Sequence, residues 1–166
     1  MPDLYMHSLL VAAAVASLPG AAAAQASPPK EAIVPKGWEF ATNDLHYSPA
    51  VRSGDLIFVS GVPAGLRPSE TEADKEKAID RAFQGVAKVL AEAGASWDDV
   101  VQITSYHTDF TTGGKPNDQQ ALFRQVKDRY VKAPYPAWTA VAVTRLWNEA
   151  LFAEISVIAR APAKPR

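Results

Sequence analysis

The apolar positions first fall into a clear pattern between residues 47 and 61. Tyr47-Ser48-Pro49-Ala50-Val51 leads through Arg52-Ser53-Gly54-Asp55 into Leu56-Ile57-Phe58-Val59-Ser60-Gly61. Runs of β-branched and aromatic residues on either side of turn residues predict a hairpin whose second strand is buried. Gly61-Val62-Pro63-Ala64-Gly65 is expected to break that strand, with Leu66 to Thr71 a polar loop. The period then changes. Ile79, Ala82, Phe83, Val86, Val89 and Leu90 recur at three- and four-residue steps and predict a helix from Glu72 to Ala93 with one apolar stripe. Glu72 and Asp74 at its front suit the macrodipole, and Gly94 is placed to follow the C-cap. Lys75, Glu76, Lys77, Asp80 and Arg81 read as a solvated face.

Val100 to His107 alternates as a strand, with Val101, Ile103 and Ser105 on one face and Gln102, Thr104 and Tyr106 on the other. Asp109 to Pro116 reads as a flexible loop. Leu122, Phe123, Val126 and Tyr130 form the stripe of a second helix, Asp118 to Tyr130, with Asn117 a candidate N-cap. Tyr135-Pro136-Ala137-Trp138-Thr139-Ala140-Val141 combines a proline-fixed entry, an indole and a switch into strand-forming residues. It reads as a rigid mouth feeding a strand from Thr139 to Thr144. A last strand follows from Leu151 to Ala159, and Trp38-Glu39-Phe40 is a candidate short strand. The order predicts an α+β layer with helices covering one face of a sheet. In the last strand Leu151, Ala153, Ile155 and Val157 lie on one face and Phe152 and Ile158 on the other. One helical layer cannot cover both, so the second face is expected to bury against another subunit.

Composition narrows the chemistry. The chain has 166 residues, 48% hydrophobic and 21% charged, an ordinary balance for one domain. Seventeen basic against 18 acidic residues give a formal charge of −1, which argues against a large nucleic-acid footprint. With no cysteine and three histidines, thiolate chemistry is excluded and a histidine-rich metal site disfavoured. Ser8 to Leu18 is an apolar run too short to span a bilayer, and Ala22-Ala23-Ala24 follows as a small-residue cleavage site, with Ala26 an equal alternative. Met1 to His7 lacks the usual positive charge. The expected organisation is a signal peptide over 1–24, an extended arm over 25–37, one domain over 38–160 and a disordered tail over 161–166. Export to the periplasm or outside the cell, with no membrane attachment once the leader is removed, is the expectation.

Four blocks carry a family likeness: Tyr47 to Val51 with Gly54-Asp55; Phe58-Val59-Ser60-Gly61; Ala91-Glu92-Ala93-Gly94-Ala95-Ser96-Trp97-Asp98-Asp99-Val100-Val101; and Pro136 to Val141 with Glu154-Ile155. In these the chain resembles the RidA family (YjgF-like reactive-intermediate, or enamine/imine, deaminases), over about Tyr47 to Ala159. The resemblance implies a chorismate-mutase-like fold, a mixed sheet with two helices on one face, assembled as a homotrimer with clefts between subunits. It also implies hydrolysis of reactive enamines and imines, such as 2-iminopropanoate or 2-iminobutanoate, without cofactor or metal.

Active members carry an arginine after Pro-Ala that clamps the substrate carboxylate, and a second glutamate in a Glu-Ile-Glu block. Here those positions are Trp138 and Ser156, and an indole with one N–H cannot replace a guanidinium fork. The family tyrosine and glycine match Tyr47 and Gly61, and an asparagine maps loosely to Asn117. The catalytic candidates are therefore Tyr47 and Glu154. The ligand-binding candidates are Tyr47, Gly61, Asn117, Trp138, Ala140 and Ser156, and no metal ligand is proposed. Three readings stay open: imine hydrolysis with a non-standard residue set, a non-catalytic small-molecule cleft, and endoribonuclease activity, which the charge and the few histidines disfavour. His46, His107 and the pair Asp98-Asp99 are read as structural or solvated groups.

Overall fold

The computed structural model describes residues 29–108, 111–112, 115–116 and 118–163; the expected signal peptide and Asn117 lie outside the described residues. At the centre is a sheet of six strands, in the spatial order β1 (Glu31–Ile33), β2 (Ala50–Ser53), β3 (Leu56–Gly65), β8 (Leu151–Arg160), β4 (Val100–His107) and β7 (Ala137–Ala142). Strand β2 (Ala50–Ser53) and strand β3 (Leu56–Gly65) form the expected hairpin, turning at Gly54 with φ +58°. That left-handed backbone favours glycine. Strand β1 (Glu31–Ile33) pairs antiparallel with β2, so part of the expected arm is an edge strand.

Strand β3 does not end at Gly61. Ile57, Val59, Val62 and Ala64 are buried, and the alternation slips by one residue at Ser60-Gly61. Pairing with β8 (Leu151–Arg160) shifts at the same place, between Val59 and Val62. The slip is a β-bulge, and it keeps apolar residues on the core side past the break. Strand β2 stops pairing at Val59, so the far half of β3 has a free edge and Pro63 costs no ladder bond there. Residues 38–40 do not form the expected strand. A single helical turn, α1 (Phe40–Asn43), forms instead, with Asn43 and Asp44 N–H groups bonded to the Glu39 and Phe40 carbonyls.

Helix α2 (Lys75–Glu92) follows a tight turn at Glu72–Asp74, where Thr71 and Asp74 form a capping box. Gly94 leaves it with φ +74°, as its position predicts. Helix α3 spans Asp118–Tyr130, as its stripe predicts. Both helices lie on one face of the sheet. The fully buried Phe83 ties the layer together, its ring 5.2 Å from Trp97, 5.4 Å from Phe123 and 5.3 Å from Tyr130. The charged face expected on α2 is only partly solvated, because Arg81 grips Glu70 and Asp80 accepts the Tyr130 hydroxyl at 2.9 Å.

Strand β4 (Val100–His107) runs antiparallel to β8 and parallel to β7 (Ala137–Ala142). A register shift between Val100 and Gln102 turns Val101 outward, away from the face of Ile103 and Ser105 where alternation had placed it. Within the expected loop, β5 (Thr111–Thr112) and β6 (Lys115–Pro116) pair as a two-stranded ribbon. After β8, Ala161 N–H donates to Asp55 O and Arg52 donates to Pro162 O, anchoring the start of the expected tail. On the face away from the helices Leu56, Phe58 and Val101 remain exposed.

Candidate functional site

The bulge in β3 creates the site. With no side chain, Gly61 leaves room for the carboxyl of Glu154 on β8: a Cβ added there would lie 2.1 Å from Glu154 Oε1 and 2.5 Å from its Cδ. Ser60 stitches the preceding segment to the strand, its hydroxyl donating to Ser48 O at 2.7 Å and its N–H to Pro49 O at 2.9 Å. Tyr47 N–H donates to Ala41 O at 2.9 Å, which holds the tyrosine beside α1. Tyr47, Gly61 and Glu154 therefore line one cavity of about 670 Å³.

The rest of that wall is largely apolar: Trp38, Phe40 and Leu45 around α1, Val62 and Pro63 of β3, Leu151 of β8, and Trp147 of the loop between β7 and β8. Asn148 Oδ1 accepts from Ala150 N–H, and Leu66 N–H donates to Ala150 O, pinning that loop to the end of β3. Trp147 stays 89% exposed at the rim. Glu154 is half-buried, its carboxyl makes no hydrogen bond or ion pair among the described residues, and burial pushes it above the usual range. Among the described residues the one basic side chain on the wall is Arg81. Its Nη1 and Nη2 lie 2.7 Å from the two Glu70 oxygens, and Nη2 also donates to Gly65 O at 3.0 Å. That bidentate pair holds Glu70 below the usual carboxylate range and neutralises the arginine.

Trp138 belongs to a different construction. It sits opposite Ile103 in the parallel β4–β7 ladder, so its ring points to the helix side. The indole N–H donates to Ser105 Oγ at 2.9 Å, and Ser105 Oγ lies 2.9 Å from His107 Nε2. The ring stacks on Phe123 at 5.9 Å, and Lys127 Nζ lies 5.3 Å from it. Ser105 and His107 are fully buried, and His107 meets the Phe123 ring edge-on at 4.7 Å. Burial lowers the His107 pKa to about 4, so the imidazole is neutral at physiological pH. In its Nδ1-protonated tautomer it takes the Ser105 hydroxyl proton at Nε2, which completes a run from Trp138 through Ser105 to His107.

The remaining candidates are dispersed. Ser156 donates its hydroxyl to Val59 O at 3.0 Å, Ala140 is exposed on β7, and His46, at φ +55°, is exposed and absent from the cavity wall. A smaller cavity of about 210 Å³ borders Trp138, Lys127 and Tyr135. The chain thus gathers Tyr47, Gly61 and Glu154 and places Trp138 and Ala140 on the far edge strand. Sequence reasoning missed Trp38, Phe40, Leu45, Arg81 and Trp147 as wall residues. Their signal was the aromatic crowding before Tyr47 and an indole stranded in a polar loop. Among the described residues no cluster of three His, Cys, Asp or Glu side chains could hold a metal, and no helix is long and apolar enough to cross a membrane.

Fold and cleft together define a small α+β protein of the YjgF/RidA type. The family description Endoribonuclease L-PSP matches residues 41–161. RutC family protein YjgH of Escherichia coli K12 is 39% identical over 134 residues, 80% of this chain and 96% of that protein. The solved structure of YjgH superposes with a TM-score of 0.66 at 38% identity, covering 81% and 98% of the two chains. Rv2704 of Mycobacterium tuberculosis, titled a member of the YjgF/YER057c/UK114 family, superposes at 0.63 with 26% identity over 80% of this chain and all of that one. The E. coli protein TdcF, whose name includes "reactive intermediate deaminase", is 28% identical over 101 residues, 60% of this chain and 75% of that protein. The chain belongs to the L-PSP endoribonuclease family, the family also called YjgF or RidA.

Proposed function

We propose that this chain is an exported, homotrimeric RidA-family protein that hydrolyses the C=N bond of a small imine or enamine, with Glu154 as the proton carrier. One observation carries the reading: a half-buried carboxyl without an ion-pair partner, held over Gly61 in an apolar cavity of about 670 Å³. Burial that raises a carboxyl's pKa makes it a stronger base than a free carboxylate and so a better carrier of protons between reacting atoms. Water attacks the imine carbon while Glu154 takes one of its protons. The C=N π pair moves to nitrogen, which is protonated in turn from Glu154. The carbinolamine then expels ammonia as its O–H pair becomes C=O, the hydroxyl proton passing by way of Glu154 to the leaving nitrogen. The Tyr47 hydroxyl, on the same wall, is available to hydrogen-bond the reacting nitrogen or oxygen. The exposed Leu56, Phe58 and Val101 on the open sheet face support assembly between copies, and the apolar run before Ala24 supports export.

The test is to generate imines with an amino-acid or amine oxidase and follow carbonyl product with and without the protein. Hydrolysis above background is expected, falling about 10²- to 10⁴-fold in Glu154→Gln. Absence of any acceleration overturns the reaction. A folding control accompanies it. Because the folded carboxyl is raised, ionised Glu154 destabilises the fold, so stability is lost as pH rises; Glu154→Gln is expected to melt higher than the parent at pH 8 and not at pH 4. Velocity sedimentation at several concentrations tests the trimer. A second reading, a cleft that binds without turnover, is favoured by Trp138, whose single donor is already spent on Ser105 where active relatives hold a clamp.

A further inference from the structure

The chemistry of the cleft wall also selects a ligand class, an argument that rests on reading this cavity as the site. Of the eight large apolar side chains that are exposed among the described residues, four, Phe40, Leu45, Tyr47 and Trp147, border this one cavity. Their concentration at a single concave surface marks it as a place where something apolar is covered. Two charged side chains, Arg81 and Glu154, reach the wall.

Their states differ. Arg81 has both terminal nitrogens committed to the Glu70 carboxylate at 2.7 Å and a third bond to Gly65 O. An incoming carboxylate would have to dismantle that fork and would then lie in the same cavity as Glu154, like charge facing like charge. Glu154 lacks a counter-charge among the described residues, and burial penalises its ionised form. A cation entering the cavity supplies the missing charge. The aromatic faces add to the same preference, since ring faces attract cations within about 6 Å. Trp38 already has Lys88 Nζ 5.9 Å from its ring, with that ammonium bonded to Lys36 O, so Phe40, Tyr47 and Trp147 are the faces left for a ligand.

We infer that the cleft takes an organic monocation, an ammonium or iminium head carrying an apolar group and no carboxylate of its own, anchored by Glu154 and walled by Trp147 and its aromatic neighbours. In a hydrolytic cycle the protonated imine of an apolar amine is such a species, and its iminium carbon is the more electrophilic form. A 2-imino acid is not.

Three probes that share a benzyl group and differ in charge decide it: benzyltrimethylammonium, benzyl alcohol and phenylacetate, titrated against the intact protein by calorimetry. The ammonium is expected to bind about tenfold or more tightly than the alcohol, and phenylacetate more weakly than either. Glu154→Gln should bring the ammonium and the alcohol to within about threefold of each other. Trp147→Ala, an exposed position unable to unsettle the core, should weaken the ammonium selectively. Phenylacetate binding as tightly as the ammonium, a preference that survives Glu154→Gln, or no binding of any probe overturns the inference. The two readings fail separately. Cation-selective binding without imine turnover removes the hydrolytic reaction and keeps the ligand class. Turnover of 2-imino acids without cation selectivity does the reverse.

Discussion

At the β3/β8 end of the sheet, Glu154 is half-buried without a counter-charge among the described residues, borders an open cavity and lies against a glycine. At the β7 edge, Trp138, Ser105 and His107 pass one hydrogen bond to the next at 2.9 Å, closed in by Phe123 and Lys127. Both regions occupy positions where the family resemblance implied ligand contacts. In one the polar group is left unsatisfied, a cost that a ligand can relieve. In the other the Trp138 and Ser105 donors are satisfied from within, and satisfied groups are poor at recruiting anything else. On the function proposed above, the contrast sets a candidate site apart from an internally bonded region of the same sheet.

The contrast breaks most sharply at Trp138. Trp138→Arg would restore the clamp of active relatives on paper. Here it removes the stack on Phe123 and the bond to Ser105 and brings a guanidinium beside Lys127, so a loss of about 4 kcal/mol is expected in urea denaturation. No gain in imine hydrolysis should accompany it; a stable, more active variant would return Trp138 to the cleft. His107 comes next. Its folded pKa of about 4 lies below the ordinary histidine value of 6.5, so the unfolded chain binds the proton first as pH falls. Stability present above pH 6.5 should decline towards pH 4, by about 3 kcal/mol in total. His107→Gln should flatten that part of the curve relative to the parent. A parent curve no steeper than the variant's would place the imidazole in contact with solvent. The smallest stability effect belongs to Gly61→Ala. The three atoms nearest the added methyl all belong to the Glu154 side chain, which can swing aside, so less than about 1 kcal/mol should be lost. The carboxyl should nonetheless leave its seat, and hydrolysis should fall with it. Full activity in Gly61→Ala would detach Glu154 from the chemistry.

Much of the fold was legible. The bounds of α3, the stripe and C-terminal glycine of α2 and the β2–β3 hairpin follow from periodicity and turn residues, which are local properties. The continuation of β3 was not, because Gly61 to Gly65 reads as a breaker unless a bulge and a free edge are known to lie there. Nor was α1, since Trp38-Glu39-Phe40 and the four residues of the turn are too short to carry a period. At the site, the family likeness pointed to Tyr47, Gly61 and Glu154 through motifs, and these share a wall. It could not say which way Trp138 points.

What the sequence by itself determined is the family, the order of elements and the absence of the clamp arginine, since each is written in residue identities and spacings of a few positions. What only the tertiary structure decided is who meets whom across long separations. Trp138 meets Ser105, Arg81 is spent on Glu70, and Glu154 finds Gly61 and no cation. A polar group's state depends on the partners that folding brings within about 3 Å, and local pattern does not record them.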